Sequence, residues 1–224
     1  MRAALRNNGL AIFFLSLFAV SLVALSVVGV QDYNETQRSH DEPTISWARY
    51  VVSSDFGEAV MENWQSEFLQ FALFIFATVW LVQKGSNESK TLDDVGLESD
   101  ERQKVGRHAP ANSPGWAKAG GWRTHVYSNS LVYVMTAIFL ASWWVQSLTS
   151  LRVFNSERRE HGETTLSWAT YVTQPDFWEK TLQNWQSEFL AVGTMAVFTI
   201  YLRQRGSPES KPVGEPHETT GTSG

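Results

Sequence analysis

The segment NWQSEFL occupies residues 63–69 and occurs again, unchanged, at residues 184–190, an offset of 121 residues. The same offset, applied without a gap, matches residues 8–90 to residues 129–211, and 33 of these 83 positions are identical. Such self-similarity over a long stretch indicates a tandem duplication. We therefore interpret the chain as two copies of one unit, and each copy as a helix, a polar connection and a second helix.

Four apolar runs give each repeat two segments that could cross a membrane. Residues 9–30 carry no charged side chain, and residues 131–151 form a second long run without charges. Shorter runs at 68–82 and 189–202 directly continue the two NWQSEFL segments. The hydrocarbon core of a bilayer, about 30 Å thick, needs roughly 20 residues of helix. The predicted fold class is all-α: a four-helix transmembrane bundle made of two tandem parallel two-helix repeats, with helical outer loops.

The boundaries of the repeats follow from these runs. The first repeat covers residues 1–90 and the second residues 126–211. Residues 91–125 are rich in Gly, Ser, Pro and mixed charges, which predicts a flexible linker, and the tail at 212–224 is expected to be disordered for the same reason. The predicted spans and outer loops are, in order, span 9–30, loop 31–62, span 63–82, span 129–151, loop 152–183 and span 184–202.

The first apolar run also shares a feature with signal peptides, because Arg2 and Arg6 precede it. Its 22 residues exceed the apolar region of about 7–15 residues that is typical of signals, and no A-x-A cleavage site follows. Its repeat counterpart lies in the middle of the chain, where a signal has no role. These features favour an uncleaved helix.

The distribution of positive charge predicts the orientation. Twelve of the 18 Lys and Arg residues lie before the first span, in the middle connection or after the last span, and six lie in the two other loops. The positive-inside rule therefore predicts a protein of the cell (inner or plasma) membrane with both termini in the cytoplasm. Two spans per unit give both units the same orientation, as in parallel-repeat transporters.

Each predicted outer loop carries a signal for the start of its second helix. Asp55-x-x-Glu58 and Asp176-x-x-Glu179 resemble capping boxes, with Asp in place of Ser or Thr. We expect the helices that they open to continue through NWQSEFL into the second span of each repeat.

The composition excludes several classes of function. The chain has no cysteine, which rules out disulfides, thiolate metal ligation and a cysteine nucleophile. A net charge of −5 without a dense basic stretch argues against nucleic-acid binding. The motifs GxSxG, HExxH and GxxxxGK[ST] are absent from the sequence. We predict no enzyme activity, no catalytic residues and no cofactor; the expected partners are the lipid bilayer, a membrane or extracytoplasmic protein, or a second copy of the chain.

Two glutamates are the first candidate site residues. Glu67 shares a helix face with Asn63, and Glu188 shares one with Asn184, because each pair is four residues apart. A carboxylate deep in a bilayer costs about 2.5–3.5 kcal/mol or more, so such residues usually face protein or water. One interpretation pairs the two glutamates in binding a cation or passing on a proton. The other, which we favour, makes each a structural clamp at the membrane boundary.

Two histidines and two arginines complete the candidate polar cluster. They fall on matched positions, His40 with His161 and Arg38 with Arg159. Imidazole and carboxylate suit a divalent ion, but the sequence has no close pair of histidines, so we predict no metal site. The histidines are expected to form hydrogen bonds within the loops. The arginines are expected to pair with loop carboxylates or with the two glutamates.

The sequence resembles a family of uncharacterised bacterial multi-pass membrane proteins, classed as a domain of unknown function. The resemblance is carried by NWQSEFL, by the LRQRGSPESK segment at 202–211 and by the loop pattern N-x-x-RR-x-HG at 155–162, and it covers both repeats. The first repeat departs from the pattern at Asp41, where the second has Gly162, and at VQK (82–84), where the second has RQR (203–205). The resemblance implies membrane placement and no activity.

Two hypotheses about function remain. The first is an integral membrane protein, structural or accessory, whose folded extracytoplasmic caps bind a partner. The alternative is a small ion or proton conductor or transporter that uses the paired glutamates Glu67 and Glu188.

Overall fold

The structure is a computed structural model that describes residues 6–222. Within this range the chain forms α-helices and two short 3-10 helices, at Leu92–Asp94 and Gly106–His108, and no β-strand. The prediction of an all-α chain is therefore confirmed. The α-helices are α1 (Gly9–Ser39), α2 (Trp47–Tyr50), α3 (Ser54–Trp80), α4 (Gly115–Ala119), α5 (Gly121–Ser128), α6 (Ser130–Glu160), α7 (Trp168–Tyr171) and α8 (Pro175–Tyr201).

Matched helices of the two repeats have equal lengths. Helices α1 and α6 have 31 residues each, α3 and α8 have 27, and α2 and α7 have four. At a rise of 1.5 Å per residue the longest helices measure about 47 Å. Among the residues described, α1 and α6 are the two helices long and apolar enough to cross a membrane.

Helices α1 and α6 continue nine residues past their apolar runs and end on matched residues with positive φ. These are Asp41 (φ 61°) and Gly162 (φ 72°). After each, the next residue donates its backbone N–H to a carbonyl five residues back, at 2.8 Å in both repeats, which is the Schellman arrangement. Aspartate is among the few side chains that tolerate this conformation. The difference between the repeats at this position therefore preserves the same turn.

The starts of α3 and α8 correct the predicted capping boxes. Helix α3 begins one residue before Asp55, and the hydroxyl of Ser53 accepts the N–H of Phe56 at 3.3 Å. Helix α8 begins at Pro175, which suits the first position of a helix because it has no N–H to satisfy. The aspartates lie in the first turn, where they complement the helix dipole, and do not cap it. Both helices do continue through NWQSEFL, as predicted.

The chain divides into two compact units, and both repeats contribute to each. Unit 1 consists of Met1–Met61 and Val145–Tyr171, and unit 2 of Glu62–Trp144 and Val172–Gly224. Unit 1 contains the segments that follow α1 and α6, which we call the caps (residues 40–53 and 161–171).

An asparagine in each long helix holds its cap by two hydrogen bonds. The side chain of Asn34 donates to the carbonyl of Ile45 at 2.9 Å and accepts its N–H at 2.8 Å. Asn155 forms the same two bonds with Leu166, at 2.9 and 2.7 Å. Each side-chain amide thus satisfies one backbone N–H and one backbone carbonyl of the cap, as a neighbouring strand would do.

A tryptophan in each cap fixes the short helix against the long one. The ring N–H of Trp47 donates to the hydroxyl of Ser26 at 3.0 Å, and that of Trp168 donates to Ser147 at 2.9 Å. Both serine–tryptophan pairs lie 21 residues apart in sequence. The identical residues at the offset of 121 therefore form identical bonds.

A buried tyrosine closes each cap. Tyr50 is 5% exposed and lies 5.8 Å from the ring of Tyr33, while Tyr171 is fully buried and lies 5.3 Å from Phe154. The phenol of Tyr50 occupies the space that a side chain at Gly29 would need, because a Cβ there would lie 2.3 Å from the Tyr50 oxygen. The small residue in α1 is therefore required for the approach of the cap.

In unit 2, residues of the linker and tail make specific contacts, although they were expected to be flexible. The ammonium group of Lys211 is buried and donates to the carbonyls of Pro216, His217 and Thr219 at 2.9–3.1 Å. The N–H of Gly221 donates to the carbonyl of Ser86 at 3.0 Å. Hydrogen bonds from one lysine to three backbone carbonyls hold a tail segment that has few apolar residues. Amino-acid composition does not reveal such contacts.

The contact between Gly29 and Tyr50 predicts the effect of one added methyl group. Gly29→Ala should lower the free energy of unfolding by about 1–3 kcal/mol, the usual cost of overpacking, despite the higher helix propensity of alanine. Gly193→Ala is the matched control, since a Cβ at this helical glycine would meet no atom within 4 Å. Thermal unfolding in detergent, followed by near-ultraviolet circular dichroism, measures both variants. Equal stability of Gly29→Ala and the wild type would contradict the packing described.

Candidate functional site

A cavity of about 580 Å³ lies in unit 1, lined by the end of α1, the start of α3 and the end of α6. We call it the cap cavity. Two phenols, Tyr33 and Tyr50, face it, and His40 also lines it. Its charged lining consists of four carboxylates and two guanidinium groups: Asp32, Asp55, Glu157, Glu160, Arg152 and Arg159.

Negative charge converges on the phenols of the cap cavity. Burial raises the pKa of Tyr50, and the carboxylates of Asp55 and Asp32 raise it further. Burial also raises the pKa of Tyr33, with added effects of Asp55 and Glu160, while Arg49 partly opposes them. In both shifts burial is the larger cause and the neighbouring carboxylates are the smaller one, and each disfavours a phenolate. The carboxylates of the lining therefore disfavour additional negative charge in the cavity.

Asp55 is a partly buried carboxylate in the lining of the cap cavity. Burial raises its pKa, and the nearby carboxylate of Glu58 adds to the shift. A hydrogen bond from its own backbone and one from Ser53 act in the opposite direction. A carboxylate that is poorly solvated gains more from an approaching cation than one in bulk water.

The structure brings two of the predicted site residues to the cap cavity and leaves two outside its lining. His40 and Arg159 line the cavity, although they come from different repeats. The ring nitrogen Nδ1 of His161 lies 2.8 Å from the carbonyl of Glu157 in the preceding turn. Arg38 is exposed at the end of α1. The matched positions therefore do not form one symmetric cluster.

In unit 2, the two NWQSEFL segments contact each other. The ring N–H of Trp185 donates to the side-chain oxygen of the fully buried Gln65 at 2.6 Å. The hydroxyl of Ser66 donates to Glu188 at 3.5 Å, and Glu188 is close enough to Glu67 for the two carboxylates to interact electrostatically. Glu188 is half-buried and Glu67 is exposed.

The asparagine of the second segment is engaged within its own helix. Asn184 donates to the carbonyl of Lys180 in its own helix at 2.9 Å, and Asn63 is exposed. Within residues 6–222, no group of three or more His, Asp or Glu side chains is arranged to hold a metal ion.

The two GS-x-ESK segments form matched loops in unit 2. Gly85 and Gly206 have φ values of 88° and 82° and lie in turns, five residues after α3 ends at Trp80 and α8 ends at Tyr201. The hydroxyl of Ser89 accepts the N–H of Gln83 at 2.9 Å, and Ser210 accepts the N–H of Gln204 at the same distance. The two glycines therefore belong to the loops, and the helices end before them.

The two loops meet through their carboxyl groups. The amide of Asn87 donates to the carbonyl of Pro208 at 3.5 Å, and the carboxyl groups of Glu88 and Glu209 are close enough to interact. Two ionised carboxylates that lie close together repel, which favours the protonated form of Glu88. Burial, together with the hydrogen bond and the charge of Glu209, raises the pKa of Glu88 to about 7.

Basic groups near these loops are held by other acceptors. Lys90 donates to the carbonyl of Gly96 at 2.9 Å and pairs with Glu98 at 3.3 Å. Lys211 is enclosed by three tail carbonyls, and Arg203 donates to the carbonyl of Glu215 at 2.9 Å. These three basic groups are thus engaged by acceptors other than the glutamate pair.

Sequence reasoning did not identify the residues that define these two places. Tyr50 and Asp55 of the cap cavity have identical partners at the offset of 121, as does Glu88. The available signal for these residues was their identity between the two repeats outside the NWQSEFL segment. Such identity does not distinguish a residue that packs in the fold from one that faces a cavity.

One comparison with known proteins gives a match. The model of a family described as a domain of unknown function (DUF6766) matches residues 1–222. No curated protein and no solved structure matches the chain.

The raised pKa of Glu88 predicts how stability depends on pH. Because the fold raises the pKa of Glu88 from 4.5 to about 7, the folded chain retains a proton that the unfolded chain has lost within this window. The free energy of unfolding should therefore fall as the pH rises from about 4.5 through about 7. Glu88→Gln should flatten this part of the profile, which denaturant titrations in detergent between pH 4.5 and 8 can measure.

Glu101→Gln provides the control for this profile. Glu101 is an exposed residue of the linker, and its variant should keep the wild-type slope. A slope in Glu88→Gln as steep as that of the wild type would show that the pair does not hold a proton.

Proposed function

The chain belongs to the DUF6766 family, a domain of unknown function that spans residues 1–222, and we propose that it is an integral membrane protein whose folded caps bind a partner outside the cytoplasm. The cap cavity carries this proposal, because it is a charged cavity built by both repeats within one unit.

Four helices form the proposed membrane part. Helices α1 and α6 have the required length and apolar character. Helices α3 and α8, about 40 Å long, are polar in their first half and apolar in their second. Exposed apolar side chains in those second halves, including Phe71, Phe76, Leu190 and Phe198, suit contact with lipid better than contact with water.

The orientation places the cap cavity outside the cytoplasm. Twelve of the 18 basic residues lie in the two termini and the middle connection, and the positive-inside rule assigns these to the cytoplasm. The caps follow α1 and α6, so they emerge on the opposite side. The cavity is therefore accessible to an extracytoplasmic segment of another protein.

The ligand that fits the cap cavity is a cationic group. Four carboxylates oppose two guanidinium groups in its lining, and the phenols of Tyr33 and Tyr50 can receive a cation on their ring faces. A volume of about 580 Å³ is within the usual range for ligand sites and accommodates one or two side chains. We propose that a lysine or arginine of a partner protein enters it, with charge-assisted hydrogen bonds to the carboxylates.

Binding of a basic peptide tests this function. The full chain, reconstituted in nanodiscs, is titrated at pH 8 with a fluorescent peptide of lysine and arginine residues, and with a glutamate peptide for comparison. Asp55→Asn should weaken binding of the basic peptide about tenfold, since a charge-assisted hydrogen bond contributes about 1.5–3 kcal/mol and 1.4 kcal/mol is a factor of ten.

Asp176→Asn is the matched control for this titration. Asp176 occupies the same position in the second repeat, lies in unit 2 and pairs with Lys180 at 3.5 Å. It should leave affinity unchanged. Equal affinity of Asp55→Asn and the wild type, or a preference for the acidic peptide, would contradict the proposal.

A second candidate function, a small ion or proton conductor, is favoured by the proximity of Glu67 and Glu188. If these carboxylates carry the ion, the double variant Glu67→Gln/Glu188→Gln should lose flux in liposomes. The linker variant Glu101→Gln should conduct like the wild type. Flux that persists in the double variant would remove this candidate without affecting peptide binding by the caps.

A further inference from the structure

We propose that residues 115–128, the segment formed by α4 and α5, lie on the cytoplasmic surface of the membrane and bind anionic lipid head groups. We call residues 115–128 the anchor segment. The inference rests on the proposed membrane function, because it requires α6 to be a span. It concerns a different surface from the cap cavity and a different class of partner.

The anchor segment exposes large aromatic side chains. Trp116 is 46% exposed, Trp122 66% and Tyr127 43%. The two tryptophan rings pack edge to face at 5.7 Å, and the hydroxyl of Thr124 donates to the carbonyl of Trp116 at 2.8 Å, which ties α5 to α4. Tryptophan and tyrosine are enriched where a membrane meets water, because one part of the ring is apolar and another forms hydrogen bonds.

The charge of the anchor segment has one sign. No Asp or Glu occurs between Arg102 and Ser156, whereas Lys118 and Arg123 lie within the segment and Lys104 and Arg107 precede it. Two of the five carboxylates at residues 91–101, before the segment, have basic partners: Asp94 pairs with Arg102, and Glu98 with Lys90. A cationic surface with exposed aromatic rings complements an anionic leaflet.

Continuity with α6 keeps the anchor segment near the head groups. Helix α5 ends at Ser128 and α6 begins at Ser130. The side chain of Asn129 donates to the carbonyl of His125 at 2.9 Å, and the hydroxyl of Tyr133 lies 3.4 Å from the ring of His125. A helix fastened in this way to the first turn of a span stays close to the interface. A soluble protein partner would have to displace lipid to reach the exposed aromatic residues of the anchor segment. We therefore assign these residues to contact with lipid.

Spin labels on single cysteines test this placement, and the cysteine-free chain needs no background removal. Labels are placed at Val126 in the anchor segment, at Leu140 in the apolar part of α6 and at Asn112 in the linker. The full chain is reconstituted in phosphatidylcholine vesicles with and without phosphatidylglycerol. Collision with oxygen and with a water-soluble nickel chelate then reports the depth of each label.

The expected result is a label at head-group depth at Val126 in vesicles with phosphatidylglycerol. Leu140 should be at hydrocarbon depth and Asn112 in water. In the background of Lys118→Gln/Arg123→Gln, the Val126 label should lose protection from nickel, while the Leu140 label is unchanged. Without phosphatidylglycerol, the unsubstituted anchor segment should show the same loss.

Three results would overturn the proposal and are distinguishable. A Val126 label in water with Leu140 in hydrocarbon refutes the anchor and leaves the membrane function standing. Equal depth of Val126 with and without phosphatidylglycerol refutes recognition of anionic lipid. A Leu140 label in water refutes the proposed membrane function, and the anchor with it.

Discussion

The hydrogen bond between a cap tryptophan and a serine of the long helix is the interaction on which the rest of the caps depends. Trp47 reaches back to Ser26 and brings α2 down onto α1. Tyr50 is thereby buried over Gly29, and it forms one wall of the cap cavity. The second repeat makes the same bond between different helices. Together with the two hydrogen bonds between Asn34 and Ile45, it holds this phenol against the apolar helix.

The duplication made much of the fold predictable. Equal lengths of matched helices and the continuation of α3 and α8 through NWQSEFL follow from pattern and spacing. The predicted capping boxes were wrong, because an earlier residue starts each helix: Ser53 caps α3, and Pro175 is the first residue of α8. The Asp-x-x-Glu motif alone does not show which of several neighbouring residues begins the helix. The individual side-chain contacts in the linker and tail could not be predicted from amino-acid composition.

The candidate site was only partly predictable, because it arises where the repeats differ. Glu67 and Glu188 lie close together, as their matched positions suggested. The cap cavity takes His40 from the first repeat and Arg159 from the second, and its shape relies on Gly29, whose counterpart is Ser150. Comparison of the two repeats finds the residues that they share. A cavity lined by residues that differ between the repeats can be recognised only in the three-dimensional structure.

The contact between Glu88 and Glu209 has an evolutionary consequence. In a symmetric pair of identical chains, both glutamates would have the same surroundings, and one mutation would change both of them. Here both glutamates belong to one chain, and they are unequal, with Glu88 half-buried and Glu209 exposed. One mutation therefore alters one side of the pair alone, so the affinity of the pair for a proton can change in smaller steps than in a symmetric dimer.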